Sequence, residues 1–332
     1  MWVASSVIST QIQDTLRKYG VKPIDLGAKP HFNGTSLTFF ELYMREAILR
    51  SMRDSILADL PTDVLILNFS NTLTHECQTW YAQGPVSTSL RNIRGEMPLR
   101  YRLPLSFFDR ILTKIDLRMI HKMRNIAGKV VANSFHCRES YKKMGIRVDD
   151  VIYAPLDCNS FKTSTSNPSS DYVLTYFGKE TKYGTIRLLA DAGLKFKAFG
   201  GKMLGIFEDM TNHPNIKYLG VVNHDTLVKL YSNALYTLFT FTDEQFGYIP
   251  VESMACSTPV LTYNSQGPAE AVVEGETGWL ARNDRELMEK AVDLWKTGDY
   301  DDGMRKCCRK RVDRFEKSTI AKIWEDTILN SS

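Results

Sequence analysis

From residue 129 onward, short apolar runs alternate with helix-forming stretches, and that alternation limits the possible folds more than any other feature. The strand-like runs are Lys129–Asn133, Val151–Ala154, Tyr172–Phe177, Lys195–Phe199, Ile216–Leu219, Leu235–Phe239 and Val260–Tyr263. Helical patterns fall between and after them, at Glu139–Met144 and at 184–192, 204–211, 224–232, 247–256 and 284–297. Val64–Phe69 is an earlier run of the same kind. Near-continuous apolar runs suit strands buried on both faces. Strand–helix alternation therefore predicts an α/β chain with doubly wound parallel sheets.

A chain of 332 residues suits two domains at roughly 150 residues each. The Ser/Thr-rich tract between Pro155 and Pro168 has too little apolar surface to pack, so it reads as the linker. The expected division is 1–155, 156–314, and a C-terminal helix over 315–332 that crosses back onto the first domain. Ligands of doubly wound sheets sit beyond the C-terminal strand ends, so the site is expected in the cleft between the domains.

Composition excludes several classes. With 43% hydrophobic and 24% charged residues, the chain is neither disordered nor fibrous. A formal net charge of +4 does not identify a nucleic-acid binder, and none is expected as a partner. The charge is local: residues 1–150 carry 21 Lys and Arg against 14 Asp and Glu, a net of +7. Six cysteines without a CxxC pair suit a reduced, cytoplasmic protein. No run approaches the ~18 apolar residues of a membrane span, and the N-terminus lacks a signal-peptide pattern.

The segment Thr242–Ala281 carries the chemistry. Glu244 and Glu252 are separated by seven residues. A strand leads into the loop holding Glu244, and Gly247–Pro250 then opens a helix with Glu252 in its first turn. Pro250 suits that turn because its missing N–H would be unpaired there anyway. The free N–H groups, with about half a positive charge from the dipole, suit a phosphate. Two carboxylates beside them suit sugar hydroxyls. First-turn glutamates that only answer the helix dipole are the plainer alternative.

The pieces Glu244-Gln-Phe-Gly247, Val251-Glu252-Ser-Met-Ala-Cys-Ser-Thr-Pro-Val260, Gly267-Pro-Ala-Glu270 and Gly275-Glu-Thr-Gly278-Trp-Leu280 stand in one register. They resemble the retaining glycosyltransferase family 4, also called glycosyl transferases group 1. That resemblance implies the GT-B fold, two Rossmann-like domains facing across a cleft. It implies that Glu244 contacts the donor sugar, that Phe246, Gly247 and Tyr248 present backbone N–H groups to sugar and phosphate, and that Glu252 binds the ribose. The stretch Tyr176–Gly184 resembles the loop that carries an Arg and a Lys against the donor diphosphate, so Gly178, Lys179 and Lys182 take that place. Lys179 stands where the family has Arg, without its bidentate fork. Gly200 matches a glycine turn and Val221 the nucleobase pocket. The resemblance extends from about residue 129 to the end. It implies a nucleoside diphosphate sugar as donor substrate, a glycan or lipid-linked acceptor, and no metal.

The N-terminal part departs from that pattern. Met1–Tyr19 reads as a first helix ended by Gly20, with Pro23–Leu26 as the next strand, so the opening strand and glycine-rich loop are expected to be missing. A non-catalytic ligand- or partner-binding protein is then one alternative. A nucleotide-sugar epimerase is another, disfavoured by the paired glutamates. Gln83 sits where many relatives carry a strand-end His near the donor sugar. The segment 100–129 carries eight basic residues against Asp109 and Asp116, interleaved with apolar ones. It reads either as a peripheral contact with anionic membrane on the inner face or as a core helix with a solvated basic side. The histidines show no metal-ligand spacing, and Tyr300-Asp301-Asp302 reads as a turn or helix cap.

Overall fold

The computed structural model describes residues 1–5, 8–31, 41–45, 64–71, 73–96, 99–165, 168–201, 208–298 and 302–329. The chain forms two compact units, Met1–Ala82 with Lys114–Val130 and Gln83–Thr113 with Val131–Ser332.

The first unit opens on a strand. Strand β1 (Trp2–Ser5), helix α1 (Thr10–Lys18) and strand β2 (Lys22–Asp25) form a βαβ turn, with β1 parallel to β2 from Trp2↔Lys22 to Ser5↔Asp25. The expectation of a helix from Met1, with no opening strand, is therefore corrected. Four residues cannot establish a period, and the pairing of Trp-Val-Ala-Ser with a neighbouring strand outweighs local preference. The stretch from Ser6 to Ser9 holds no glycine, so the glycine-rich part of the expected pattern is absent from the sequence itself. Further on, β3 (Leu67–Asn68) lies parallel to β4 (Cys77–Ala82). Helix α2 (Val86–Ile93) precedes the 28-residue helix α3 (Leu99–Ile126), and β5 (Ala127–Ala132) follows. The C-terminal half of α3 buries Asp116, Met119, Ile120 and Met123, and the Tyr43 hydroxyl hydrogen-bonds the Asp116 carboxylate.

The second unit carries helix α4 (Phe135–Lys142), β6 (Asp150–Val151), which pairs in parallel with Val131 and Ala132, and a six-stranded parallel sheet. In chain order that sheet and its helices are β7 (Val173–Tyr176), α5 (Tyr183–Asp191), β8 (Phe196–Phe199), α6 (Glu208–Thr211), β9 (Ile216–Tyr218), α7 (His224–Asn233), β10 (Thr237–Leu238), α8 (Tyr248–Ala255), β11 (Val260–Tyr263), α9 (Gln266–Ala271) and β12 (Gly278–Ala281). Helices α10 (Asp284–Thr297), α11 (Asp302–Arg311) and α12 (Lys317–Leu329) complete it. The strand order is β12-β11-β10-β7-β8-β9, the doubly wound Rossmann order. Val173, Leu174, Leu238, Val260 and Leu261 are fully buried, which is why these strands read as apolar runs. Strand β12 escaped the sequence reading. It starts on Gly278, where a Cβ would lie 2.0 Å from the Val260 carbonyl oxygen, so no side chain fits that close approach. Part of the helix expected at 204–211 and the pair Tyr300-Asp301 lie outside the described residues.

Helix α11 ties the unit together through carbonyl oxygens. Arg305 donates to the Ser232 carbonyl near the end of α7 (3.3 Å). Arg309 donates to Ala255 at the end of α8 (3.2 Å) and to Cys158 (2.7 Å). Arg311 donates to Ala271 (2.9 Å) and Glu270 (2.8 Å) at the end of α9. Guanidinium groups thus meet the negative ends of three helices. Arg309→Ala is expected to lower unfolding free energy by about 2 kcal/mol, because two carbonyls lose a charged donor. Urea midpoints measure it, with Arg285→Ala, whose side chain is 88% exposed, as the variant that leaves the midpoint in place.

Candidate functional site

Strand order reverses between β7 and β10, so the connections leaving these two neighbours run to opposite sides of the sheet. The Thr242 backbone N–H donates to the Glu180 carbonyl at 2.8 Å and joins the two connections beyond the strand ends. The β7 connection is a tight turn. Thr181 Oγ1 accepts from the Gly178 N–H (2.9 Å) and donates to the Tyr176 carbonyl (3.0 Å), and the Tyr183 hydroxyl donates to the Gly178 carbonyl (2.7 Å).

The β10 connection presents Glu244. Its N–H donates to Gln266 Oε1 at 2.6 Å, while Gln266 Nε2 donates to the Thr242 carbonyl at 3.3 Å. Gln266 has φ of 61°, left-handed and costly for a residue with a side chain. That conformation starts α9 and aims the amide back at the loop. The Glu244 carboxylate accepts from the Phe246 N–H at 3.3 Å, and Phe246 is buried with its ring centroid 5.8 Å from that of Phe315. Helix α8 then begins at Gly247, which has φ of 86° and gives no side-chain cap. The N–H groups of its first turn are left to a ligand or water, at the positive end of the helix.

The electrostatics of this pocket of carboxylates follow from burial. The Glu244 carboxyl is pushed up to about 7, first by burial and then by the charge of Glu180, with the Phe246 N–H opposing. Burial also raises Glu252, against the Tyr231 hydroxyl, which donates to Glu252 Oε2 at 2.9 Å. The Tyr176 phenol is pushed up to about 12 by burial, with Glu180, Glu244 and Glu252 adding to the shift. Tyr176 thus senses all three carboxylates.

Of the residues expected from the sequence, Glu244, Phe246, Gly247, Tyr248 and Glu252 occupy one loop and the helix it opens. Gly178 and Lys179 lie in the turn joined to that loop through Glu180, with Lys179 exposed. Lys182 is engaged elsewhere. Its ammonium lies 2.7 Å from Asp284 Oδ1 and 4.4 Å from the centre of the Tyr263 ring, and the Tyr263 hydroxyl donates to the same Asp284 oxygen. Gly200 accepts from the Tyr218 hydroxyl at 2.7 Å, and Val221 is 83% exposed, both beyond the β8–β9 end of the sheet. The exposed Tyr248 hydroxyl reaches the Pro155 carbonyl at 3.3 Å. Gln83 is exposed between β4 and α2. Sequence reading missed Glu180, Tyr231 and Gln266. Only Glu180 carried a signal, its place between the two lysines. Among the described residues, no group of three or more His, Cys, Asp or Glu could hold a metal ion.

The comparisons with known proteins agree with this geometry. Residues 206–312 match the family described as glycosyl transferases group 1. The chain is similar to the alpha-1,3/1,6-mannosyltransferase alg-2 of Neurospora crassa, 33% identical over 110 residues, which are 32% of this chain and 23% of the relative. It is also similar to the alpha-1,3/1,6-mannosyltransferase ALG2 of Mus musculus, 25% identical over 232 residues, 58% of this chain and 54% of the relative. The matches therefore span about half or less of these relatives' lengths. In fold, it is similar to the sucrose-phosphate synthase of Thermosynechococcus elongatus, with a TM-score of 0.65 and 16% identity over 93% of this chain and 82% of that one. Anabaena HepE, solved in complex with UDP, gives a TM-score of 0.61 and 17% identity over 99% of this chain and 92% of that one. The chain has the GT-B fold of these structures, and its residues 206–312 match the glycosyl transferases group 1 family.

Proposed function

We propose that the protein is a retaining glycosyltransferase that moves a sugar from a nucleoside diphosphate sugar to a glycan or lipid-linked acceptor. The observation that carries this reading is the single loop that sets the Glu244 carboxylate beside the uncapped N-terminus of α8 at the switch point. Glu244 accepts hydrogen bonds from donor-sugar hydroxyls. The α8 N–H groups and the exposed Lys179 stabilise charge on the departing diphosphate. Lys182 joins them by exchanging Asp284 for phosphate. Glu252, with one oxygen held by Tyr231, offers the other to the ribose. Gly178, Gly200 and Val221 line the nucleotide side. The bond between the anomeric carbon and the diphosphate oxygen breaks, the acceptor oxygen bonds on the same face, and its proton passes to the leaving phosphate. The opening strand β1 removes one reason to favour a non-catalytic reading.

The same proposal gives the N-terminal half of α3 an acceptor-side role. Leu99, Leu103, Phe107 and Ile111 recur at every fourth position and are 57%, 61%, 80% and 53% exposed. The exposed Arg110, Lys114 and Arg118 continue the same side of the helix with the same spacing. An apolar stretch followed by a basic one suits the peripheral surface of an anionic membrane, each charge contributing about 1 kcal/mol there. No helix among the described residues is long and apolar enough to cross a membrane.

Three outcomes test these statements. Screened over common nucleotide sugars, the wild type turns over at least one, and Glu244→Ala keeps its fold while losing transfer. Undiminished turnover in that variant overturns the assignment. Second, activity rises with pH through about 7 as Glu244 ionises. Raising a carboxyl's folded-state pKa stabilises the fold below its ordinary value of 4.5, and that stabilisation is lost as pH climbs to 7. Glu244→Gln keeps the acceptor for the Phe246 N–H without the charge. Unfolding titrations are thus expected to show it more stable than wild type above pH 7, by about 1–3 kcal/mol, with no difference near pH 4. Third, the protein sediments with vesicles containing anionic lipid, less so in high salt, and Phe107→Glu abolishes this. Equal sedimentation of wild type and variant removes the membrane reading.

A further inference from the structure

We propose that Asn92 and Ser134 are positioning residues for Glu244, although both lie outside the 206–312 family segment. The inference rests on the proposed transfer reaction for its kinetic consequences only. The loop that carries Glu244 is pinned on both neighbours of that residue. On one side Asn92 Nδ2, on α2, donates to Asp243 Oδ1 at 2.8 Å, and Asp243 is buried at 8% exposure. On the other, Ser134 Oγ donates to the Gln245 carbonyl at 2.5 Å.

The Ser134 proton has a fixed direction. The same Oγ accepts from the Cys137 N–H at 2.9 Å as the N-cap of α4, which leaves its O–H to point at Gln245. The start of α4 is itself held. The Glu270 carboxylate accepts from the Phe135 N–H (3.0 Å), the His136 N–H (2.7 Å) and the Tyr153 hydroxyl (2.9 Å). Ser134 is therefore set by α9, the helix whose Gln266 also binds the Glu244 N–H. Packing closes the arrangement: a Cβ on Gly84 would lie 2.5 Å from Gln245 Cγ, and one on Gly267 would lie 2.2 Å from the Gln245 carbonyl oxygen. The loop is gripped from two sides where only glycines fit. A carboxylate that must meet a developing charge gains from such a frame, because misplacement of about 1 Å can cost ~100-fold in rate.

Hydrogen exchange and kinetics test this together. In Asn92→Ala and Ser134→Ala, amide exchange at 242–247 is expected to accelerate at least about tenfold, from lost local hydrogen bonds, while the β7 and β11 amides keep their wild-type protection. Ser134→Thr, which keeps the hydroxyl, retains wild-type exchange. Turnover falls about 10- to 100-fold in both alanine variants, with the KM for donor unchanged within about threefold, and threonine restores it. The double variant loses less than the product of the single losses, because both residues hold one loop. Wild-type exchange at 242–247 in both alanine variants overturns the proposal, whatever the activity. So does accelerated exchange with undiminished turnover. A wild type that transfers no sugar from any donor sinks the transfer reading instead, and the exchange data still decide whether the two residues hold the loop.

Discussion

The parallel pairing of β7 with β10 is the constraint on which the site depends. These strands are adjacent in the sheet yet separated in the chain by β8, β9 and the three helices α5, α6 and α7. Their connections must leave in opposite directions, and that opens a crevice at their C-terminal ends. Right-handed crossovers make this gap recur wherever the order turns back on itself. Two parts of the proposed site meet there: the Gly178–Lys182 turn from one strand and the Asp243–Gly247 loop from the other. The Thr242 N–H donates to the Glu180 carbonyl and joins them.

Within the gap, charge is arranged against its own comfort. Glu180, Glu244 and Glu252 stand close enough for each to raise Tyr176, and burial raises both Glu244 and Glu252, with the charge of Glu180 adding at Glu244. Lys182, the basic side chain that would offset them, is paired with Asp284 instead. A buried carboxylate without a cation partner destabilises a fold, and it persists where the surroundings over-determine its position. Here they do so with Gln266 in a left-handed conformation, with glycines at 84 and 267, and with N–H groups aimed at the Glu244 oxygen. The sign of this arrangement suits a ligand that brings its own hydroxyl donors for the carboxylates and its own negative charge for the helix end.

Much of this was legible beforehand, and the limits are physical. Strands β7 and β11 announce themselves because burial on both faces favours near-continuous apolar runs. Helix α10 keeps its expected bounds at 284 and 297, and Asn283 caps its start while the left-handed Gly298 ends it. The Glu244–Glu252 spacing placed Glu244 just before a helix start, which it occupies, but Glu252 was expected in the first turn and lies one turn further in, because the helix begins only at Tyr248. What stayed hidden depends on partners far away in sequence. Strand β1 exists because residues 22–25 pair with it. The ion pair of Lys182 with Asp284, about a hundred residues on, likewise leaves no local trace. Gln266 carried no signal at all, since neither its left-handed backbone nor its amide's reach to residues 242 and 244 is encoded in local pattern.

Helix α3 packs differently along its length. A basic, apolar-rich stretch was open to a core helix or a membrane-docking surface, and it forms one helix of 28 residues. The C-terminal half turns Asp116, Met119, Ile120 and Met123 inward. The N-terminal half leaves Leu103 and Phe107 as bare as any surface lysine. Continuing one helix past the edge of its packing exposes an apolar stripe for which solvation gives no return, so folding alone does not account for the side chains found there.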